Sequence, residues 1–330
     1  MQTLVTGGGG FVGRYVVEQL LQRGDAVTVF ARGNYPELGA LGATLIQGDL
    51  QDAPAIKRAC VEKDIVFHVA AKAGVWGTWK SFYDPNVIGT ENVIAACTAN
   101  AVPRLVYTSS PSVTFDGQPQ AGVNETCPYP LHYDSLYARA KAIAEQKVLA
   151  ANGQNGLLTV SLRPHFIWGP RDTHILPGLI ARARAKQLVQ VGPATVKKDM
   201  SYVEDVAWAH LLAADALKPG SPVAGAAYFI SQGEPVLFWQ WVAELMTALG
   251  LPGIQKQIPL AVALVIGWGM ETAYRLWPLR GEPLLTRFLV NEMGQSQYYD
   301  ISRAKRDFGY LPRFSMAQAM EKTVAYLQRN

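Results

Sequence analysis

Cysteine is scarce in this 330-residue chain. Cys60, Cys97 and Cys127 are an odd number at wide spacings, which excludes a disulfide framework and a zinc motif. The five histidines (His68, His132, His165, His174, His210) form no H-x-x-E-H or H-E-x-x-H pattern, so no structural or catalytic metal is expected. Charge is thin as well. Only 17% of residues are Asp, Glu, Lys or Arg, and the net charge is +4 with no run of one sign. A nucleic-acid partner would need a basic stripe, so none is expected. No low-complexity tail and no internal repeat occur, which excludes broad disorder. The opening Met1-Gln2-Thr3-Leu4-Val5-Thr6 has neither the basic nor the apolar segment of a secretory signal, and the expectation is a cytoplasmic protein.

What is present is an alternation. Residues 2–6 read as a short buried strand, broken by Gly7-Gly8-Gly9-Gly10. A helix follows over 11–23, with Val12, Val16, Val17, Leu20 and Leu21 at helical spacing and Gly24 as its stop. A strand over 26–30 completes a βαβ unit. Further strands are predicted over 43–47, 65–70, 104–108 and 158–163, and helices over 54–60, 86–100 and 135–151. The fold class this implies is α/β, a doubly wound parallel sheet (Rossmann fold). After Pro164 the rhythm changes. A helix over 176–186 gives way to short mixed segments, and Trp, Pro and Gly become frequent between 235 and 283. This reads as a smaller, mixed C-terminal substrate lobe. The expected division is a dinucleotide-binding domain over 1–164, with late elements from 200–230, and a substrate lobe over most of 165–330.

Four motifs carry chemistry. The run Gly7-Gly8-Gly9-Gly10-Phe11-Val12-Gly13 fits G-x-x-G-x-x-G from Gly7 and G-x-G-x-x-G from Gly8. Glycines there permit a tight turn and close approach of a pyrophosphate. Gly13 lets the helix pack on the strand, and the helix start at Phe11 and Val12 supplies N–H donors. The strand before and the helix after distinguish it from a plain turn. At the end of the second strand, Phe30-Ala31-Arg32-Gly33 offers no carboxylate for the adenine ribose hydroxyls. Arg32 suits a 2′-phosphate instead, with Asn34 as a helper. NADP(H) is therefore favoured; NAD(H) stays open, because Arg32 also reads as a solvated surface residue. Gly48-Asp49-Leu50 after the third strand puts Asp49 at the adenine edge, or makes it a turn residue.

Tyr137-Ala-Arg-Ala-Lys141 places a phenol and an ammonium on one helix face. A phenol titrates near 10, and an adjacent ammonium lowers that value toward what proton transfer at an alcohol or carbonyl oxygen requires. Tyr107-Thr108-Ser109-Ser110-Pro111-Ser112 lies at the carboxyl end of the fifth strand, where ligands bind in such sheets. The Ser110 hydroxyl would hydrogen-bond the reacting oxygen; the alternative is a Ser/Thr turn.

The glycine turn, Ser110 and Tyr137-x-x-x-Lys141, in this order, resemble the extended short-chain dehydrogenase/reductase superfamily. Asn86-Val-Ile-Gly-Thr-Glu-Asn92, Leu162-Arg-Pro-His-Phe-Ile-Trp-Gly-Pro170 and Tyr202-Val-Glu-Asp205 extend the likeness. Tyr107-Thr-Ser-Ser-Pro-Ser-Val113 and Phe67-His-Val-Ala-Ala-Lys-Ala-Gly74 look like the 3β-hydroxysteroid dehydrogenase branch. Within it, bacterial 2-alkyl-3-oxoalkanoate reductases of olefin biosynthesis and sterol-4-carboxylate 3-dehydrogenases are the most similar, and Leu276–Arg287 looks like the former. The resemblance implies an NAD(P)-dependent oxidoreductase interconverting a 3-hydroxyl and a 3-ketone on a bulky lipid or steroid, in a β-keto or β-hydroxy acid setting. It makes Tyr137 the acid or base, Ser110 the polarising donor, Lys141 the group that tunes Tyr137 and holds the nicotinamide ribose, and Asn86 the holder of a relay water. It also implies cofactor contacts at Ala70, Ala71, Pro164 and Ile167, with His165 a packing residue, and a homodimer built on the two helices flanking the catalytic face. Two other readings stay open: a nucleotide-sugar epimerase or dehydratase, which would want a polar lobe, and a non-catalytic NAD(P)-binding regulator.

The apolar stretch 258–279 is too short for a bilayer-spanning helix of about 20 residues, and Pro259, Gly267, Gly269 and Pro278 interrupt it. It reads either as a buried pocket wall or as a peripheral membrane contact with Trp268, Trp277 and Arg275 at the headgroups. Trp76, Trp79, Phe82 and Tyr83 are candidates to line the same cleft, and Lys72 or Arg287 to meet a substrate carboxylate.

Overall fold

The computed structural model describes residues 1–277, 279 and 281–329. Pro278, one of the breakers of the apolar stretch, lies outside the described residues. In chain order the first half runs β1 (Gln2–Thr6), α1 (Phe11–Gln22), β2 (Ala26–Ala31), α2 (Pro36–Ala40), β3 (Thr44–Gln47), α3 (Ala53–Ala59), β4 (Ile65–His68), α4 (Trp79–Tyr83), α5 (Gly89–Ala99), β5 (Arg104–Thr108), β6 (Gln120–Val123), α6 (Leu136–Ala150) and β7 (Leu158–Pro164). The second half runs β8 (Ile167–Trp168), α7 (Leu176–Arg184), β9 (Val189–Val191), β10 (Lys197–Lys198), β11 (Ser201–Tyr202), α8 (Val203–Ala216), β12 (Ala226–Ile230), β13 (Val236–Leu237) and α9 (Phe238–Ala248). It closes with β14 (Lys256–Ile258), α10 (Leu260–Leu276), α11 (Arg287–Gly294), β15 (Gln297–Tyr299), α12 (Ser302–Phe308) and α13 (Met316–Leu327).

Seven strands form one parallel sheet in the order β12-β7-β5-β4-β1-β2-β3. Alternate side chains point to opposite faces. Val5 and Val29 pack with Val16, Val17 and Leu20 of α1 and with Val203, Ala207 and Leu211 of α8. Leu4, Phe30, Leu105 and Tyr107 pack on the other face with Ile56, Val93, Cys97, Ala144 and Val148 of α3, α5 and α6. Burial on both faces explains why these strands read as continuous apolar runs. The chain order reverses between β1 and β4, and a crevice opens there at the carboxyl ends of the strands.

A mixed four-stranded sheet, β13-β10-β15-β6, sits in the second lobe with the parallel pairs β8–β11 and β9–β14. Its core is aromatic: Trp168, Tyr202, Phe238, Trp239 and Trp241 pack with α7, α9 and Val290 of α11. Two local departures from expectation shape the site. The fourth strand ends at His68 rather than 70, and the helix expected from 86 begins as a wide turn over Asp84–Ile88 that continues α4. Asn86, in that turn, accepts from the Lys72 N–H (2.7 Å) and donates to the Lys72 carbonyl (3.0 Å), which ties down the strand exit.

Candidate active site

The sheet crevice is a cleft of about 1310 Å³. A single-ligand pocket is typically ~300–1,000 Å³, so this one has room for a dinucleotide and a substrate together. Gly7, Gly10, Phe11, Val12, Gly13, Arg32, Asp49, Leu50, Ala70, Ala71, Pro164 and Ile167 all line it, as do Ser110, Tyr137 and Lys141. Asn86 does not; it is buried behind the cleft with both ends of its amide engaged by Lys72.

The glycine turn forms a cradle. A Cβ on Gly13 would stand 2.2 Å from the Gly7 carbonyl oxygen, and Gly7 itself has φ +70° with the Ala70 backbone 2.7 Å from an added Cβ. Helix α1 begins at Gly10 without a side-chain cap. Its first residues, Phe11, Val12 and Gly13, line the cleft, and the uncapped amide N–H groups of a helix start suit the diphosphate of a nicotinamide dinucleotide. Thr6 Oγ1 donates to His68 Nδ1 (2.7 Å), His68 Nε2 donates to Thr90 Oγ1 (2.9 Å), and Thr90 Oγ1 donates to the Asn86 carbonyl (2.6 Å). Burial and the Lys141 charge push His68 down to about 3, so this chain is neutral and structural. Arg32 is exposed at the cleft rim, while Asp49 accepts from the Gln51 N–H (2.9 Å) and closes its own turn. Tyr35, which sequence reasoning passed over, lies flat over the turn: a Cβ on Gly9 would meet its ring at 2.1 Å.

The reacting groups are brought together by β5 and α6. Ser110 follows β5 and caps a short 3-10 turn. Its oxygen accepts from the Ser112 N–H (3.2 Å) and the Ser112 hydroxyl (2.9 Å). With both lone pairs engaged, its own proton is left to donate into the cleft. Tyr137 is enclosed beside Phe82, Val87 and Ala140. Burial pushes its phenol up to about 12, Ser110 pulls it down and the Glu292 charge pushes it further up. Lys141 is 1% exposed; its ammonium lies over the Tyr107 ring and donates to the Thr108 carbonyl oxygen at 2.6 Å. Burial brings Lys141 down to about 7, against the opposing pull of Glu145. The lowering of Tyr137 by Lys141 expected from the sequence is not what the structure shows: burial leads and raises the phenol, and the group that pulls it down is Ser110.

Glu145, one turn beyond Lys141 on α6, is fully buried. It accepts from Arg163 Nη2 (2.6 Å), Arg163 Nε (3.0 Å), Ser161 Oγ (2.6 Å) and Tyr129 Oη (2.7 Å). Burial alone would raise its carboxyl, but Arg163 and Ser161 hold it below the usual carboxylate range. The Glu145–Arg163 pair gave no motif to read, because only the fold makes neighbours of α6 and β7.

The opposite wall of the cleft comes from α11 and the residues before it: Pro283, Leu284, Phe288, Leu289, Glu292 and Met293. Of the residues expected to line the substrate space, Lys72 does. Trp79, Phe82 and Tyr83 pack behind Tyr137, and Trp76 lies against Tyr274 of α10 at 6.0 Å. Arg287 is spent on Glu271, at 3.1 Å. His165 lines the cleft with neither ring nitrogen bonded among the described residues; burial and Lys198 push it down to about 3, so it is neutral. No group of acidic, His or Cys side chains that could hold a metal occurs among the described residues.

A profile of the 3-beta hydroxysteroid dehydrogenase/isomerase family matches residues 4–262. The chain is 46% identical to a 2-alkyl-3-oxoalkanoate reductase of Shewanella oneidensis, covering 98% of this chain and 85% of that one. It is 47% identical to a protein of the same description from Stenotrophomonas maltophilia, covering 98% and 99%. It is 35% identical to the human sterol-4-alpha-carboxylate 3-dehydrogenase, decarboxylating, covering 97% and 86%. Among solved structures, MoeE5 in complex with UDP-glucose and NAD matches with a TM-score of 0.75 at 24% identity, over 100% of this chain and 99% of that one. That last likeness speaks to the fold alone.

Proposed function

Because the chain belongs to the 3-beta hydroxysteroid dehydrogenase/isomerase family and is an NAD(P)-dependent oxidoreductase, we propose that it reduces the 3-ketone of a bulky 2-alkyl-3-oxo acid to the 3-hydroxyl. The observation that carries this reading is the convergence of Ser110, Tyr137 and Lys141 at one end of a glycine-cradled cleft whose far wall is largely apolar. The bound nicotinamide supplies the hydride in reduction and accepts it in oxidation. Ser110 donates to the ketone oxygen and draws charge onto it. Tyr137 gives that oxygen its proton, and in the reverse direction takes it back. Lys141, held by the Thr108 carbonyl, carries a positive charge below about pH 7 and offers N–H donors to the ribose. In this reading Asn86, with both ends of its amide bonded to Lys72, positions residues 70–74. Residues 1–164 together with the late elements α8 and β12 make the cofactor half in this reading, and most of 165–330, joined by β6, makes the substrate half.

NADP(H) is the preferred cofactor in this reading, with Arg32 at the rim meeting the 2′-phosphate. Kinetics with NADPH and NADH side by side test both points on a long-chain 2-alkyl-3-oxo acid. The expected result is faster turnover with NADPH, abolished in Tyr137→Phe, and an Arg32→Ala enzyme that loses the preference. Turnover confined to NAD and a 3β-hydroxysteroid or its 4-carboxylate would move the protein to the sterol reading, which the 35% identical human relative favours.

No helix among the described residues is long and apolar enough to cross a membrane. Yet Val262, Val265, Ile266, Trp268, Leu276, Trp277, Leu279 and Leu284 are all exposed, at 44–73%, and Leu284 also lines the cleft. We read this face as resting on a lipid surface, with Arg275 at the headgroups, so that an alkyl chain enters the cleft without crossing water. A homodimer through α5 and α6 completes the reading; light scattering tests it.

A further inference from the structure

The α11 wall holds one polar side chain among apolar neighbours. Phe288, Leu289 and Met293 reach the cleft together with Glu292, one turn apart on the same face. Phe288 is anchored by an edge-to-face contact with Phe115 at 6.4 Å, which fixes this wall against the loop after Ser110. Glu292 Oε1 accepts from Gln297 Nε2 (3.2 Å), and Gln297 Oε1 accepts from Lys198 Nζ (2.5 Å), an ammonium with no exposed surface. Oε2 takes no hydrogen bond from a described residue. The carboxyl is thus held by one oxygen and presents the other to the cleft. Glu292 and Tyr137 line the same cleft, and the Glu292 charge adds to the upward push on the phenol. Burial also raises the Glu292 carboxyl, against the pull of Lys198 and Gln297, and a raised carboxylate is a stronger base.

We infer that Glu292 is a second catalytic residue, a base for the carbon between the ketone and the carboxyl group, which gives the cleft an enolising activity separate from hydride transfer. This inference rests on the substrate class proposed above. A hydrogen at C2 of a 2-alkyl-3-oxo acid is acidic because the C3 ketone takes up the charge left when the proton departs. With the ketone oxygen bonded to Ser110 and Tyr137, Glu292 takes the C2 proton. The C2–H electron pair becomes a C2=C3 bond, and the C3=O π pair moves onto oxygen, where the two hydroxyl donors hold it. Return of a proton from Glu292 to C2 restores the ketone. Neither oxidant nor reductant is consumed. A carboxylate base paired with hydroxyl donors at the carbonyl oxygen is a sufficient set for this chemistry. The consequence is that both C2 configurations of the substrate can feed one product.

The experiment uses a methyl 2-alkyl-3-oxoalkanoate, whose ester blocks loss of CO2, in D2O with the enzyme and oxidised NADP. Deuterium at C2 is followed by mass spectrometry, and reduction of the same ester by NADPH is measured separately. The expected result is exchange at least about tenfold above buffer. In E292Q the ratio of exchange to reduction falls about a hundredfold, within the usual range for a lost general base. In Glu292→Ala, added formate restores exchange, which a merely structural side chain would not allow. Three outcomes overturn the inference: exchange no faster than buffer in an enzyme that reduces the ester, an unchanged ratio in E292Q, or no rescue by formate. An enzyme that neither reduces nor exchanges the ester removes the proposed substrate class, and this inference with it.

Discussion

Tyr137 and Lys141 share one face of α6, but the ammonium points past the phenol to the Thr108 carbonyl oxygen at 2.6 Å. The lysine is therefore positioned by the sheet, through the last residue of β5, and not by its partner on the helix. Fully enclosed, it is pushed by burial to about 7 while the tyrosine is pushed to about 12.

The pH profile of reduction follows from those two values. Tyr137 keeps its proton throughout the working range, so it imposes no limb. Lys141 carries its charge below about pH 7 and loses it above. In reduction, kcat/KM is expected to be level on the acid side and to fall up to tenfold per unit above neutrality. A profile between pH 5.5 and 9 with saturating cofactor checks this; a level line to pH 9 would remove Lys141's charge from the mechanism.

Glu145 holds that charge in place, since its carboxylate opposes the downward push on Lys141. Replacing it with Gln should move the falling limb toward lower pH. It should also destabilise the fold, because Arg163, 3% exposed, is left without its carboxylate. Breaking a buried pair from one side costs roughly 3–5 kcal/mol. Thermal melting reads the second effect and the pH profile the first, so each is scored without the other.

Much of this was legible in the residues. β1 and β5 announce themselves because both faces are buried, and the glycine turn because only glycine tolerates the Gly7–Gly13 approach. Other parts were not. β6 is four residues, Gln120–Val123, with no alternation, and it becomes a strand only by pairing with β15. Trp79, Phe82 and Tyr83 carried the right apolar signal but face the back of Tyr137, a choice made by the continuous α4 and wide-turn geometry. Glu292 belongs to no motif in the sequence; it comes to the cleft wall on α11, beside Phe288, which packs on Phe115.

Gly13 offers a test of the cradle. In Gly13→Ala the new methyl group meets backbone, the Gly7 carbonyl at 2.2 Å, with no flexible side chain to give way. Helix α1 must shift by a fraction of an ångström away from the turn. The dissociation constant for NADPH is expected to rise at least about tenfold, or about 1.4 kcal/mol, with a lower melting temperature. Fluorescence titration measures the first; binding as tight as wild type would mean that the helix start does not hold the diphosphate.

The lipid-facing reading makes a separate prediction. A Trp268→Ser, Trp277→Ser double variant should bind vesicles of anionic phospholipid several-fold more weakly in co-sedimentation, while reduction of a short, water-soluble 3-keto ester changes little. Equal sedimentation of both proteins would assign the exposed apolar face another role.

The pairing of β6 with β15 has a consequence for how the chain is made. Strand β6 is complete before residue 130, but its partner is not synthesised until residue 297. The sheet edge at β7 likewise waits for β12. At ~5–20 residues per second, β6 stands unpaired for roughly 10 to 35 seconds on the ribosome. Loop closure over such spans also slows folding. Truncated chains ending near residue 164 should therefore be aggregation-prone, and slower translation of the C-terminal third should lower the yield of active protein more than slower translation of the first.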